Sequence, residues 1–154
     1  MAQRVNRLHR IINNLNRLPE GLRTRGLTLA VGSAVKFAGT AKVEILEMTQ
    51  TRLHARIRNR KIVQNHIGSL HAAAMALLAE SVTGLVVGMN VPDNQTPVIK
   101  LMKIDYVRRA KGDLEAVATI TEDDVTRIRS SGKVRLRFPS KLRMPMVMNR
   151  FSVK

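Results

Sequence analysis

Residues 65–81 read NHIGSLHAAAMALLAES and open an apolar run that continues to Met89. Alanine and leucine dominate its first half, which favours helix over strand. From His71 to Met89 such a helix is roughly 27 Å long, at about 1.5 Å per residue. It is apolar on nearly every side and is therefore expected to be buried on nearly every side. One carboxylate lies within it. Glu80 is the only acidic residue between Met48 and Pro92. Glu80, Ser81, Thr83 and Gly84 in the middle of the run argue against a membrane span. The stretch thus predicts one long core helix and leaves Glu80 to be explained, as a structural carboxylate paired with a base across an interface or as a working one.

The flanks of this helix read as antiparallel sheet. On the N-terminal side AKVEILEM (41–48) places Val43, Ile45 and Glu47 on one face, and RLHARIR (52–58) alternates Leu53, Ala55 and Ile57 with basic or polar residues. A period of two with one polar face indicates a sheet covered on one side, and Thr49-Gln50 suits a tight hairpin. On the C-terminal side PVIKLMKIDYVRRA (97–110) and DLEAVATI (113–120) read as a strand pair joined at Lys111-Gly112. Thr121 is placed to cap a short helix through Arg129, with Asp123 and Asp124 in its first turn. VRLRF (134–138) and MVMNRFSV (146–153) are expected to be the last strands. Residues 3–18 carry Val5, Leu8, Ile11, Ile12, Leu15 and Leu18 at helical spacing, with Arg4, Arg7, Arg10 and Arg17 on other faces. Residues 22–38 read as a second helix interrupted by Gly26 and Gly32. One long helix held by an antiparallel sheet is an α+β arrangement. The 154 residues are read as a single domain, with N-terminal helices over 1–38 and the core over 40–154.

Composition narrows the chemistry. Cysteine is absent, which removes disulfides, thiolate catalysis and cysteine-ligated zinc. No metal site is expected. The N-terminal end is basic but has no apolar signal core, so a cytoplasmic location is expected. The net charge of +16 calls for a polyanionic partner. With aromatic residues at 3%, few flat side chains are present to stack on bases, which argues against nucleic acid. The basic amphipathic N-terminal helix packs on the domain or lies on an anionic membrane surface.

Two motifs carry a resemblance. Asn65-His66-x-Gly68-x-x-His71, with Glu80 nine residues further on, resembles the hotdog-fold acyl-CoA thioesterases, in particular the phenylacetate-degradation type, whose pattern is Asn-x-x-Gly-x-x-His-Gly-Gly followed by Asp or Glu at this distance. IDYVRRAKGDLEAVATI (104–120) is similar to that family's hydrophobic-Asp-Phe-hydrophobic-Arg-Pro-Ala-Lys-Gly segment. The matches occur in the family's order and cover roughly residues 40–121. The N-terminal helices and the basic C-terminal end look like the domain-of-unknown-function branch of the superfamily. The implied fold is a hotdog, an antiparallel sheet wrapped around one central helix, with extra helices at the N-terminus. Two departures stand out. Ala72-Ala73-Ala74 follows His71 where the family has two glycines, which narrows the acyl or pantetheine channel by a methyl or two. Arg109 stands where the family has proline.

The resemblance implies a hydrolase of acyl-CoA or acyl-carrier thioesters, with coenzyme A as part of the substrate and no separate cofactor. Glu80 would act as general base or nucleophile, and burial in an apolar helix is expected to raise its pKa. Asn65 would orient water or the carbonyl, and its alternative role is that of a turn residue. The backbone N–H of Ala72, with that of Ala73 beside it, would face the oxyanion at the start of the helix. His71 would orient the thioester or simply pack there. Ser69 is read as a helix cap. Gly68 and Ala73 would line the substrate, and Lys100, Arg108, Arg109 and Lys111 are candidates for the coenzyme A phosphates. A homodimer or a dimer of dimers is implied, with Asn65 and Ala72 from one chain and Glu80 from its partner. Competing readings are a non-catalytic acyl- or CoA-binding hotdog protein, favoured by the alanines after His71, a hotdog dehydratase using His66, and a basic nucleic-acid or membrane-surface binder.

Overall fold

A computed structural model describes residues 6–130. The chain opens with α1 (Arg7–Leu15), α2 (Glu20–Ala34) and α3 (Lys36–Ala41), and continues into a hairpin of β1 (Glu44–Met48) and β2 (Arg52–Ile57). A 3-10 turn (Lys61–Val63) and a loop lead to α4 (Ala72–Gly88), and then come β3 (Leu114–Thr119) and α5 (Glu122–Ser130). The sheet is antiparallel with order β1-β2-β3. The expected strands over 134–138 and 146–153 lie outside the described residues, as does Val5.

The helix read from the apolar run forms as α4 and packs on β2 and β3. Leu53, Ala55 and Ile57 of β2 and Leu114, Ala116 and Ala118 of β3 point at it and are buried, together with Leu78, Val82 and Val86 of α4. The opposite face of the sheet is an ionic ladder. Arg56 donates to Glu44 at 2.6 and 3.0 Å, Arg58 to Glu44 at 2.6 Å and Arg52 to Glu47 at 2.9 Å, and His54 meets Glu115 at 2.9 Å. Burial works against a charged Glu44, but the hydrogen bonds and charges of Arg56 and Arg58 outweigh it and hold the carboxyl below its usual range.

Four sequence expectations are corrected. Residues 22–38 do not form one interrupted helix. Gly26 and Gly32 both lie inside α2, and the break comes at Val35, where φ −109° and ψ 86° turn the chain into α3. The turn presses Gly32 against Gly39, and a Cβ on Gly39 would stand 2.5 Å from the Gly32 carbonyl oxygen. In β1 a bulge between Ile45 and Glu47 shifts the phase, so Met48 is buried in place of Glu47, and Glu47 turns outward to Arg52. The bulge avoids sealing a carboxylate in the core. The hairpin link is one residue longer than expected, Thr49 to Thr51, closed by the Thr49 N–H donating to the Arg52 carbonyl at 2.8 Å. Most consequentially, residues 97–110 form no strand. β3 pairs with β2, and Val98, Leu101 and Val107 are 84%, 86% and 79% exposed. Alternating apolar residues make a segment able to pair, but tertiary context decides whether it does.

Buried amides fix the surroundings of α4. Asn6 caps α1 by accepting the His9 N–H, and its Nδ2 donates to the carbonyls of Gly88 and Val91 at 2.7 and 2.6 Å. Asn90 Nδ2 donates to the carbonyls of Gln50 and Val86. β1 lies against α2, where Thr28 Oγ1 accepts the Ile45 N–H at 2.9 Å. The expected cap of α5 forms, as Thr121 Oγ1 accepts the Asp124 N–H and the Asp124 carboxylate accepts the Thr121 N–H and hydroxyl. Among the described residues no helix is long and apolar enough to cross a membrane.

Candidate functional site

The loop before α4 is built around Asn65. Its Oδ1 accepts the N–H groups of Ile67 and Ser69, both at 3.1 Å, and its own N–H donates to the Ser69 carbonyl at 2.8 Å. Gly68 adopts φ +71°, a left-handed conformation that glycine enters without a Cβ penalty. An antiparallel bridge between Gln64 and Leu70 closes the loop at its base. Asn65 is thus a turn-forming residue by its oxygen, while its Nδ2 has no acceptor among the described residues.

α4 begins immediately after this loop. The cap is His71 and not Ser69, since His71 Nδ1 accepts the Ala73 N–H at 3.0 Å. An accepting Nδ1 carries no proton, so the neutral ring has its hydrogen on Nε2. This bond removes Ala73 from the pair of N–H groups expected to face an oxyanion. The Ala72 N–H has no acceptor among the described residues, and Ala72 has ordinary negative φ, so alanine serves here as glycine would. Ala72 and Ala73 are exposed.

The second sequence motif closes onto the first. Arg109 Nε donates to Ser69 Oγ and its Nη2 to the Ile67 carbonyl, both at 2.6 Å. The Tyr106 hydroxyl donates to the Ala72 carbonyl at 3.1 Å. Ser69 is buried under these contacts. The structure therefore brings together Asn65, Gly68, Ser69, His71, Ala72, Tyr106 and Arg109. Tyr106 and the Arg109–Ser69 contact were not anticipated as parts of the site. The available signal was the hydroxyl and the guanidinium standing where the thioesterase pattern has Phe and Pro. Lys100, Arg108 and Lys111 are exposed side chains on the same unpaired segment or just after it, and His66 is exposed on the loop.

Glu80 is not brought to this cluster within one chain. It follows Ala72 by eight residues on α4, a rise of about 12 Å. Around it Ala76, Thr83, Gly84 and Val87 are also incompletely covered, so within one chain α4 is buried against the sheet and open on its other side. Among the described residues Glu80 is the only acid that is neither exposed nor hydrogen-bonded or ion-paired. Glu44, Glu47, Glu115 and Asp124, the other half-buried acids, all have partners.

The chain belongs to the family described as Domain of unknown function (DUF4442), whose model matches residues 23–143. No match is found among curated proteins. Two crystal structures resemble the chain. One is a protein of unknown function from Pseudomonas aeruginosa named a probable thioesterase, 25% identical, covering 71% of each chain with a TM-score of 0.59. The other is the genomics protein APC5556, 20% identical, covering 73% of this chain and 74% of that one with a TM-score of 0.58. Family and neighbours fit a thioesterase-like hotdog fold, and the described residues form an α+β structure with a three-stranded antiparallel sheet.

Proposed function

We propose that the protein hydrolyses acyl thioesters, with acyl-CoA as the substrate class, at a site completed by a second copy of the chain. The observation that carries this reading is the half-covered Glu80 on the open face of α4, two turns from the Ala72 N–H, neither group having a hydrogen-bond partner among the described residues. Hydrolysis needs a carboxylate to activate water or attack the carbonyl, and a donor about 3 Å from the developing oxyanion. Separated by about 12 Å along one helix, these groups cannot serve one carbonyl from the same chain. A two-fold axis across the open face lets Glu80 of one subunit meet Ala72 and Asn65 of the other, because an isologous contact presents the same surface twice. In this arrangement the Ala72 N–H and the dipole of α4 stabilise the oxyanion. Asn65 Nδ2 donates to water or carbonyl while its Oδ1 holds the loop. The neighbour named a probable thioesterase supports the same chemistry. The narrower hotdog-branch assignment, a central helix enclosed by the sheet, and coenzyme A phosphates held by Lys100, Arg108 or Lys111 belong to this proposal.

The test is a panel of acyl-CoA thioesters of different chain length, with release of free thiol as the readout and Glu80→Gln as the control. Turnover is expected to fall by at least about 10²-fold in that variant, in line with general-base contributions, with the fold retained. Equal turnover in the two proteins would overturn the role of Glu80. Tight binding of acyl-CoA without thiol release would point to the binding-protein alternative.

A further inference from the structure

We infer that Arg109 is a positioning residue that straps the Asn65 loop to the segment behind it, rather than a ligand for substrate phosphate. The inference rests on the thioesterase reading and deepens it. Both donations from Arg109 to the loop are 2.6 Å long and cross about forty residues of sequence, to Ser69 Oγ and to the Ile67 carbonyl. Ser69 is 3% exposed, so the Ser69 end of the strap is shielded from competing water, while Arg109 and the Ile67 end lie at the surface. Ile67 and Ser69 are also the two residues whose N–H groups Asn65 Oδ1 accepts. Arg109 and Asn65 therefore grip the same three-residue bend, Asn65 through the N–H groups of the bend and Arg109 through a carbonyl and a hydroxyl. What Arg109 fixes is the orientation of the Asn65 amide, and through the next two residues the position of His71 and the Ala72 N–H. Tyr106 acts three residues earlier in the same segment, holding the Ala72 carbonyl at 3.1 Å.

A planar fork suits this task. Nε and Nη2 present parallel N–H groups at fixed spacing, which a lysine cannot reproduce. A guanidinium engaged in this way has little freedom to follow a phosphate at the far end of coenzyme A. The departure from proline at this position thus acquires a role, because a side-chain strap replaces a backbone constraint.

The experiment compares acyl-CoA with the matching acyl-pantetheine, which lacks the adenosine phosphates, in wild type, Arg109→Ala and Arg109→Lys. A positioning role predicts that kcat falls for both substrates alike, by up to about 10²-fold for a reacting geometry displaced by an ångström, with partial rescue of Arg109→Ala by added guanidinium and less activity in Arg109→Lys than in the rescued protein. It also predicts faster hydrogen exchange at the Ile67, Ser69 and Ala73 amides of the variants. A rise in KM confined to acyl-CoA would overturn the inference and make Arg109 a phosphate ligand. Unchanged kinetics with unchanged exchange would overturn it as well. If wild type cleaves neither substrate, the thioesterase reading fails by itself, and the exchange rates still decide whether Arg109 holds the loop.

Discussion

His9 shows how a single side chain ties stability to pH. It is a buried residue of α1, and its Nδ1 has no hydrogen-bond partner among the described residues. Burial and the charge of Arg129 lower its pKa from 6.5, against a backbone hydrogen bond at Met89 that works the other way. The folded protein thus takes up a proton less readily than the unfolded chain. The stability contributed by neutral His9 is complete above 6.5 and declines as pH falls below it towards the lowered folded value. The slope in that window is at most about 1.4 kcal/mol per pH unit for one proton. Denaturant unfolding between pH 5 and 7.5 (roughly the window around an ordinary histidine) is expected to show this decline in wild type and a flatter curve in His9→Gln. An equal decline in both would show that His9 is not responsible. Glu44 and Asp124 are held below their usual carboxylate range, by Arg56 and Arg58 acting against burial and by the Thr121 backbone and hydroxyl respectively. Their contributions are also lost on acidification, but at lower pH.

At the scale of elements, the α2–α3 junction and α4 show two different uses of small residues. Gly39 admits the Gly32 backbone, and the 2.5 Å approach leaves a methyl group nowhere to go, since backbone cannot rotate aside. Gly39→Ala is expected to destabilise by about 1–3 kcal/mol, the usual cost of overpacking, despite the better helix propensity of alanine. Gly26→Ala is the contrast. Its Cβ would stand 3.0 Å from Leu15 Cδ2, the end of a side chain that can change rotamer. It is expected to be near neutral, because relief of the glycine penalty of about 1 kcal/mol offsets the adjustment. Thermal melts of both variants check the pair, and comparable losses would show that the helix junction is looser than this geometry. On α4 the small residues instead keep one face shallow. Ala76 and Gly84 flank Glu80 one turn away on either side, and all three are incompletely covered.

Among the described residues, the side of α4 turned away from the sheet is incompletely covered and the segment bearing Val98, Leu101 and Val107 is exposed. Exposed apolar surface of this kind marks interaction sites, and the proposed site requires a second copy. The shared site is tested by mixing two variants that are each inactive alone. Asn65→Asp keeps the oxygen that holds the loop but loses the Nδ2 donor, and Glu80→Ala loses the carboxylate. Unfolded and refolded together in equal amounts, about half of the dimers are mixed, and each mixed dimer has one intact site of two. About a quarter of wild-type activity is expected to return, from the symmetry of the pairing. Background activity, with mixed dimers confirmed by mass, would place both residues in one site of one chain and overturn the arrangement.

Local pattern alone determined much of this protein. Alanine-rich helix propensity specified α4, alternation specified β2 and β3, and Thr121 with Asp124 specified the start of α5, because each is decided by neighbours within a few residues. The motif Asn65 to His71 likewise located the loop that the structure builds. The tertiary structure decided the rest. Whether Glu47 or Met48 faces inward depended on a bulge against β2 and the break at Val35 on the fit of two glycines, while residues 97–110 reach the Asn65 loop and the start of α4 through Tyr106 and Arg109 instead of joining the sheet. The same holds for the site. Asn65, His71 and Arg109 could be named from sequence, but not that Asn65 Oδ1 and His71 Nδ1 serve the backbone while Arg109 grips Ser69. A side chain's hydrogen-bond partner is set by what folding brings within about 3 Å, and for Arg109 that partner is forty residues away.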